Sequence, residues 1–302
     1  MSKFDSRTNI SSNAARSAQR GFTLIELLVV AATALIIMAM LLPYLWWAKE
    51  EADRTVCQSN HRQLNTAYLQ YATDNRGILV CPAPGVPAPG YGGPWVNGAV
   101  STSDGNDYFA IASGALFPYV NAGADPMAGQ PVSTTLIAAI DANPPRAVKA
   151  YVCPSDWVRK NTRTYSVNGW LDDPAGICYS GDQITRLSQV KRPSSTFTFI
   201  DEYDDRGYNE GGFEELSPYQ TNILPIAPYP PLRWIWVDVP GLFHLDGNNI
   251  SFIDGHVEWW QWGDPRTLAL PPGSAGAVPL TYGFAPNNMD LYRLQSMRGD
   301  IN

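Results

Sequence analysis

The chain begins with a polar stretch and turns abruptly apolar. Phe22 to Leu42 reads FTLIELLVVAATALIIMAMLL, 21 residues in which Glu26 is the single ionisable side chain. At 1.5 Å per residue such a helix is about 31 Å long, close to the hydrocarbon thickness of a bilayer. The pattern predicts a membrane-spanning helix. Pro43 follows and removes one helix donor, which predicts a kink or a loosened turn. Beyond it Lys49-Glu50-Glu51-Ala52-Asp53-Arg54 is densely charged, and Cys57, His61, Leu64, Ala67, Tyr68 and Tyr71 then recur at spacings of three and four. That spacing describes one face of an amphipathic helix, ending near Asn75-Arg76-Gly77 with Gly77 as its C-cap.

Residues 78–150 are rich in Pro and Gly, as in Cys81-Pro82-Ala83-Pro84-Gly85-Val86-Pro87-Ala88-Pro89-Gly90, and cannot form a continuous helix or a central strand. This part reads as a long irregular insertion with short elements, including a helix near Tyr108 to Tyr119. Tyr91, Trp95, Tyr108, Phe109 and Phe117 offer apolar anchors that favour an ordered loop over a disordered linker. From residue 151 the pattern shifts to strands. Ser195 to Ile200 is β-branched and aromatic, Arg233 to Val239 alternates, and Asn249 to Ile253 and His256 to Trp260 flank Asp254-Gly255. Asp-Gly between two such runs predicts a hairpin with a type I′ turn, both turn residues at positive φ. The expected fold is α+β, an antiparallel meander on one face of the long helix.

Composition sharpens this outline. The 302 residues are 45% apolar and 16% charged, enough to bury a sizeable core. A net charge of −7 repels phosphate backbones and argues against a nucleic-acid partner. The charge is also unevenly placed: Lys3, Arg7, Arg16 and Arg20 oppose only Asp5 before the apolar run, so the acidity lies in the body. Cations at Arg16 and Arg20 favour a cytoplasmic leader and a body on the far side of the membrane.

Three readings of this leader compete: a secretory signal peptide, a plain anchor and a leader cut before the apolar run. The run ends in Pro43, Tyr44, Leu45, Trp46 and Trp47, too bulky for a signal-peptidase site, although Ala32-Thr33-Ala34 fits the pattern mid-run. A plain anchor gives no reason for a carboxylate four residues inside the apolar segment, where an unpaired charge is costly. At Arg20-Gly21-Phe22-Thr23-Leu24-Ile25-Glu26 the chain resembles the class III leader of type IV pilins and type II secretion pseudopilins. The resemblance implies cleavage between Gly21 and Phe22 by a prepilin peptidase and N-methylation of Phe22. It further implies Glu26 as an assembly contact, opposite the amino terminus of a neighbouring copy in a filament.

A second resemblance concerns the far end. His244 and Asp254-Gly255 are separated by nine residues, and this spacing is similar to the H-X9-DG domain of certain large pseudopilin-like proteins. Cys153-Pro154-Ser155-Asp156, Tyr165 to Gly169 and Val190 to Thr196 also look like segments of that family. Together the resemblances imply a leader (1–21), a filament-core or transmembrane helix (22–42), its amphipathic continuation (43–77), the insertion (78–150) and a β head (151–302).

Candidate chemistry is sparse. His244, Asp246, Asp254 and His256 suggest a metal or an acid/base pair, but turn positions account for the Asp-Gly pairs, and a His that clasps a turn accounts for His244. His256 and Glu258 on one face are too few ligands for a transition metal. Asp201, Glu202, Asp204 and Asp205 offer hard oxygens for calcium, without EF-hand spacing, and a solvated acidic loop is the simpler reading. No other cofactor is implied. Cys57, Cys81, Cys153 and Cys178 are even in number and would meet an oxidising compartment, so sequence proximity pairs Cys57 with Cys81 and Cys153 with Cys178. The alternative keeps Cys57 as a small buried helix residue and leaves the others reduced. No CxxC pair supports zinc or thioredoxin-like chemistry.

Ten Trp residues raise a membrane-anchored adhesin with a carbohydrate-binding aromatic platform as the alternative function. Most of them fall in strands where core packing is the default, and Trp46 and Trp47 sit where an interfacial belt is expected. Nucleotide loops, nucleophile elbows and HExxH sites are all missing, so the expectation is a structural subunit without turnover. Its expected partners are the inner membrane, the peptidase, an inner-membrane assembly platform, and copies of itself or related pilins. Either a periplasmic pseudopilus or a surface pilus fits.

Overall fold

The computed structural model describes residues 22–82, 92–97, 108–121, 133–156, 162–172, 184–203, 212–213, 236, 238–269 and 287–297. Chain contacts divide it into two units, one through Ala48 and one from Lys49 onward. Helix α1 runs Leu24–Asp74, with Pro43 inside it rather than at an end. In the first unit its side chains are exposed at every described position but Ala34, which is half-buried, from Leu24 to Trp46 and Trp47. One helix among the described residues is long and apolar enough to cross a membrane, and it is this one.

From Cys57 onward α1 buries one face: Cys57, Asn60, His61, Leu64, Asn65, Ala67, Tyr68, Tyr71 and Ala72. The three-and-four spacing thus works as a packing face. Its end is a left-handed turn in which Arg76 and Gly77 both take positive φ and the Gly77 N–H closes on the Ala72 carbonyl at 2.7 Å. The C-cap is therefore two residues wide, with Arg76 taking the first left-handed position in place of Gly77.

Within the insertion, the single helix expected over Tyr108 to Tyr119 is two: α2 (Tyr108–Ala112) and α3 (Phe117–Val120). The break falls at Gly114, where an added Cβ would lie 2.1 Å from the Trp95 carbonyl oxygen. Trp95 and Phe117 are fully buried and Phe109 packs partly on the same core, so the anchors work as expected, while Tyr91 lies outside the described residues. Helix α4 (Thr134–Ala142), capped by Ser133, and a 3-10 turn at Arg146–Tyr151 complete this part.

The head is a five-stranded sheet of order β3-β1-β2-β4-β5: β1 Tyr165–Asn168, β2 Phe197–Asp201, β3 Gly212–Phe213, β4 Gly247–Phe252 and β5 Val257–Gln261. The expected antiparallel meander needs correction, because β3 runs parallel to β1 while the other pairs are antiparallel. Every residue of β1, β2 and β4 is buried. One core joins α1, the insertion anchors, Val167 and Phe199. A second joins Phe197, Ile200, Ile250, Phe252, Trp236, Trp260 and Trp262 to Leu291 and Leu294 of α6 (Met289–Gln295). A register shift between Phe197 and Ile200 puts both residues in the second core and breaks the strict alternation of β2. Of the strand expected over Arg233 to Val239, Trp236 forms an isolated bridge, and residues 233–235 and 237 lie outside the described residues.

The β4–β5 hairpin forms as expected, but its turn is of another kind. The Phe252 N–H donates to the His256 carbonyl and the Gly255 N–H to the Phe252 carbonyl, and Gly255 alone of the Asp254-Gly255 pair has positive φ, at +101°. This is a three-residue loop with a left-handed glycine in place of a two-residue type I′ turn. A pair of consecutive positive φ values occurs instead at Leu245 (+53°) and Asp246 (+59°), between His244 and Gly247.

Candidate functional site

The first candidate site is the start of α1. Thr23 Oγ1 accepts from the Glu26 N–H at 3.3 Å, and Glu26 Oε2 accepts from both the Thr23 N–H and its hydroxyl at 2.8 Å. This reciprocal pattern is a capping box: the carboxylate satisfies donors that the first helical turn leaves open and lies at the positive end of the helix dipole. The lone carboxylate of the apolar run thus has a partner within its own chain. Gly21 lies outside the described residues, and Phe22 is 86% exposed.

The second site lies inside the head, where α1 meets the sheet. Cys57 and His61, one helical turn apart, point at the last residue of β2. The Cys57 thiol donates to Asp201 Oδ1 at 3.3 Å, and His61 Nε2 lies 2.9 Å from the same oxygen. Asp201 Oδ2 accepts from the Asn249 N–H of β4 at 3.0 Å, fixing the carboxylate from its other side. The Tyr165 hydroxyl of β1 donates to Cys57 Sγ at 3.3 Å and accepts from Asn60 Nδ2 at 3.2 Å.

Cys153, just beyond the 3-10 turn, brings a second thiol. Its Sγ is 3.2 Å from His244 Nε2, and His244 Nδ1 is 3.2 Å from Glu50 Oε1, which also accepts from the Ser155 hydroxyl at 3.1 Å. One ligand atom from each of Cys57, Cys153 and His244 lies within 4.8 Å of the other two, and the same holds for Cys57, His61 and Asp201. His61, Asp201, His244 and Cys57 are all at 0% exposure and Cys153 is at 1%.

Electrostatics follow from this burial. Loss of water pushes the Cys57 thiol well above the ordinary thiol range, reinforced by a hydrogen bond with Cys153 and the charge of Asp201, and burial raises Cys153 as well. For His61, burial opposes the charged ring, but hydrogen bonds to Asp201 and Cys57 and the Asp201 charge outweigh it and lift the pKa to about 9. His244 is lifted to about 9 against the same desolvation, by a hydrogen bond to Cys57 and the negative charges of Asp201 and Glu50.

The residues singled out in the sequence are distributed as follows. His244 belongs to the buried cluster, whereas Asp254 serves its own hairpin, accepting from the His256 N–H at 3.2 Å and lying 2.5 Å from His256 Nδ1. Cys57 and Cys153 are free thiols, and Cys57 faces Cys153 rather than Cys81, because α1 carries it toward the sheet. Cys178 lies outside the described residues. Asp201 and Glu202 are buried and separately engaged, Glu202 by the Ser166 hydroxyl, while Asp204 and Asp205 lie outside the described residues. Trp95, Trp236, Trp260 and Trp262 are buried, so they provide no exposed sugar platform. In the sequence His61 stands only as one position of a helix face, and nothing there marks Asn60. The Cys57-x3-His61 spacing on that face was the available signal.

Comparison with protein families bears on the first site. Residues 16–42 match the prokaryotic N-terminal methylation motif. The match spans the basic flank, the Gly21-Phe22 junction, the capping box and the apolar run. It supports a pilin-type precursor of the kind a prepilin peptidase processes, anchored in a membrane by the start of α1. The H-X9-DG resemblance lies outside the matched stretch. Neither the curated proteins nor the solved structures compared with the chain give a match.

Proposed function

We propose that this chain is a structural pilin or pseudopilin subunit: cleaved after Gly21, methylated on Phe22, held in the inner membrane with its head in the periplasm, and then assembled through α1 into a filament. The carrying observation is the coincidence of the methylation motif with a helix half whose large apolar side chains are exposed. Such a surface needs lipid or protein around it. Copies of the same helix supply that cover once the subunit leaves the bilayer.

Glu26 has two successive roles in this scheme. In the precursor it caps its own helix through Thr23. After cleavage the new amine of a neighbouring Phe22 offers a cation, and pairing with it sets the stagger between subunits. The test is assembly of Glu26→Gln beside Glu26→Ala, since Gln retains the capping hydrogen bonds and removes the charge. Both variants are expected to be processed and to fail to form filaments under electron microscopy. Wild-type filament yield from Glu26→Gln would contradict the pairing.

A further inference from the structure

We propose that the buried cluster is a structural zinc site built on the triad Cys57, Cys153 and His244, with the fourth ligand drawn from the adjoining triad that shares Cys57: Asp201, or His61 as the alternative. Two sulfurs, one imidazole nitrogen and one carboxylate oxygen form a four-coordinate set of the type zinc takes. A tetrahedral zinc with bonds of about 2.0–2.3 Å holds its ligand atoms about 3.3–3.8 Å apart. Two of the pairs already stand near that separation, 3.2 Å from Cys153 Sγ to His244 Nε2 and 3.3 Å from Cys57 Sγ to Asp201 Oδ1; the atoms of each triad lie within 4.8 Å of one another, and small side-chain rotations about the shared Cys57 would close the set on an ion.

The surroundings match a metal centre as well as the ligands do. His244 presents Nε2 to the cluster and Nδ1 to the Glu50 carboxylate at 3.2 Å, the carboxylate–histidine relay that fixes a ligand ring and raises its basicity. Asp201 presents Oδ1 inward while Oδ2 is held by the Asn249 N–H. Tyr165 donates to Cys57 Sγ, a bond that a thiolate accepts more strongly than a thiol. A surface groove of about 800 Å³ is lined by Asn60 and by Pro154, the neighbour of Cys153, beside two of the segments that carry the cluster.

A hydrogen-bonded network without metal is the competing account, and so is a Cys57–Cys153 disulfide. A disulfide would account for the two thiols alone, and a hydrogen-bonded network needs neither thiol; a metal uses the thiols, imidazole and carboxylate together. Zinc binding would drive the two thiol protons, and the Nε2 proton of a charged His244 ring, into solvent, while Nδ1 keeps its proton toward Glu50. The ligands come from α1, the segment after the 3-10 turn, β2 and the approach to β4. The ion therefore fastens helix to sheet, independently of whether the subunit forms filaments.

The experiment uses the full chain purified in detergent from zinc-supplemented cells, with metal content by plasma mass spectrometry and the zinc shell by X-ray absorption. About one zinc per chain, with two sulfur and two nitrogen or oxygen neighbours, is expected. Cys57→Ala/Cys153→Ala should lose it and Cys81→Ala should keep it. Because the double variant can unfold, Glu50→Gln, at the edge of the cluster, provides the second test: zinc affinity by chelator competition should fall about 10–100-fold with the fold intact. Absence of stoichiometric zinc, a Cys57–Cys153 disulfide in the non-reduced intact mass, zinc retained in the double variant, or unchanged affinity in Glu50→Gln would overturn the assignment.

Discussion

The two units of the chain treat their apolar and polar side chains in opposite ways. Among the described residues of the first unit, nearly all apolar side chains stand exposed and the one carboxylate, Glu26, is held by Thr23 of the same turn. From Lys49 onward the central strands and the helix face are buried, and with them a set of polar groups that hydrogen-bond across segments far apart in sequence. A segment that ties its polar group to its own first turn and shows its apolar ones is made for a non-aqueous neighbour. A segment that draws polar groups into its core spends burial on fixing how its elements meet, since each such group is costly unless paired.

The sharpest way to break this contrast is at Asp201. Replacement by Ala leaves His61, the Asn249 N–H and the Cys57 thiol without their acceptor in a dry site. Removing one member of a buried ionic pair costs about 3–5 kcal/mol. Urea unfolding of the head should show a loss of that size, and a loss below about 1 kcal/mol would mean the cluster is not a stabilising joint.

Next in size is Asn65→Ala. Asn65 Nδ2 donates to the Phe252 carbonyl at 2.6 Å and its Oδ1 accepts from the Thr198 hydroxyl at 2.9 Å, tying α1 to both β4 and β2. Leaving such buried groups unsatisfied costs about 1–3 kcal/mol. The same unfolding measurement checks it, and additivity with a variant of the apolar half tests the independence of the two units.

In the apolar half the corresponding change is Thr23→Ala, which removes the cap hydroxyl. It should cost about 1 kcal/mol, confined to the first turn and read as faster amide exchange of Leu24 to Leu27 in detergent, with head stability unchanged. Smallest is Asp246→Gly. Asp246 is exposed at positive φ, so Gly should stabilise the head by about 0.5 kcal/mol in thermal unfolding.

Much of the architecture was legible because it rests on local periodicity. The apolar run, the buried face from Cys57 to Tyr71, the β4–β5 hairpin and the α+β class all follow from spacings within a few residues. The parallel β1–β3 pair did not, since β3 is two residues long and has no period to read. The hairpin's turn type was misjudged because Asp-Gly serves both a type I′ turn and a left-handed glycine after a type I turn, and the dipeptide alone does not choose between them.

The sites divide in the same way. The capping box was written locally, as Thr23-x-x-Glu26 before an apolar run, and the carboxylate was instead read as needing an outside partner. The buried cluster was hidden for the opposite reason. Its members lie at 50, 57, 61, 153, 201 and 244, with no short ligand spacing beyond Cys57-x3-His61, and proximity in sequence pointed Cys57 toward Cys81. The fold brings together what spacing kept apart.

The central claim, a leader removed to free an apolar helix for assembly, is tested most directly by intact mass and N-terminal analysis of the chain isolated from its native cells. The account predicts a chain that begins at N-methylated Phe22 and lacks residues 1–21. A mature chain that retains those residues, or one cut within or after the apolar run, would contradict it.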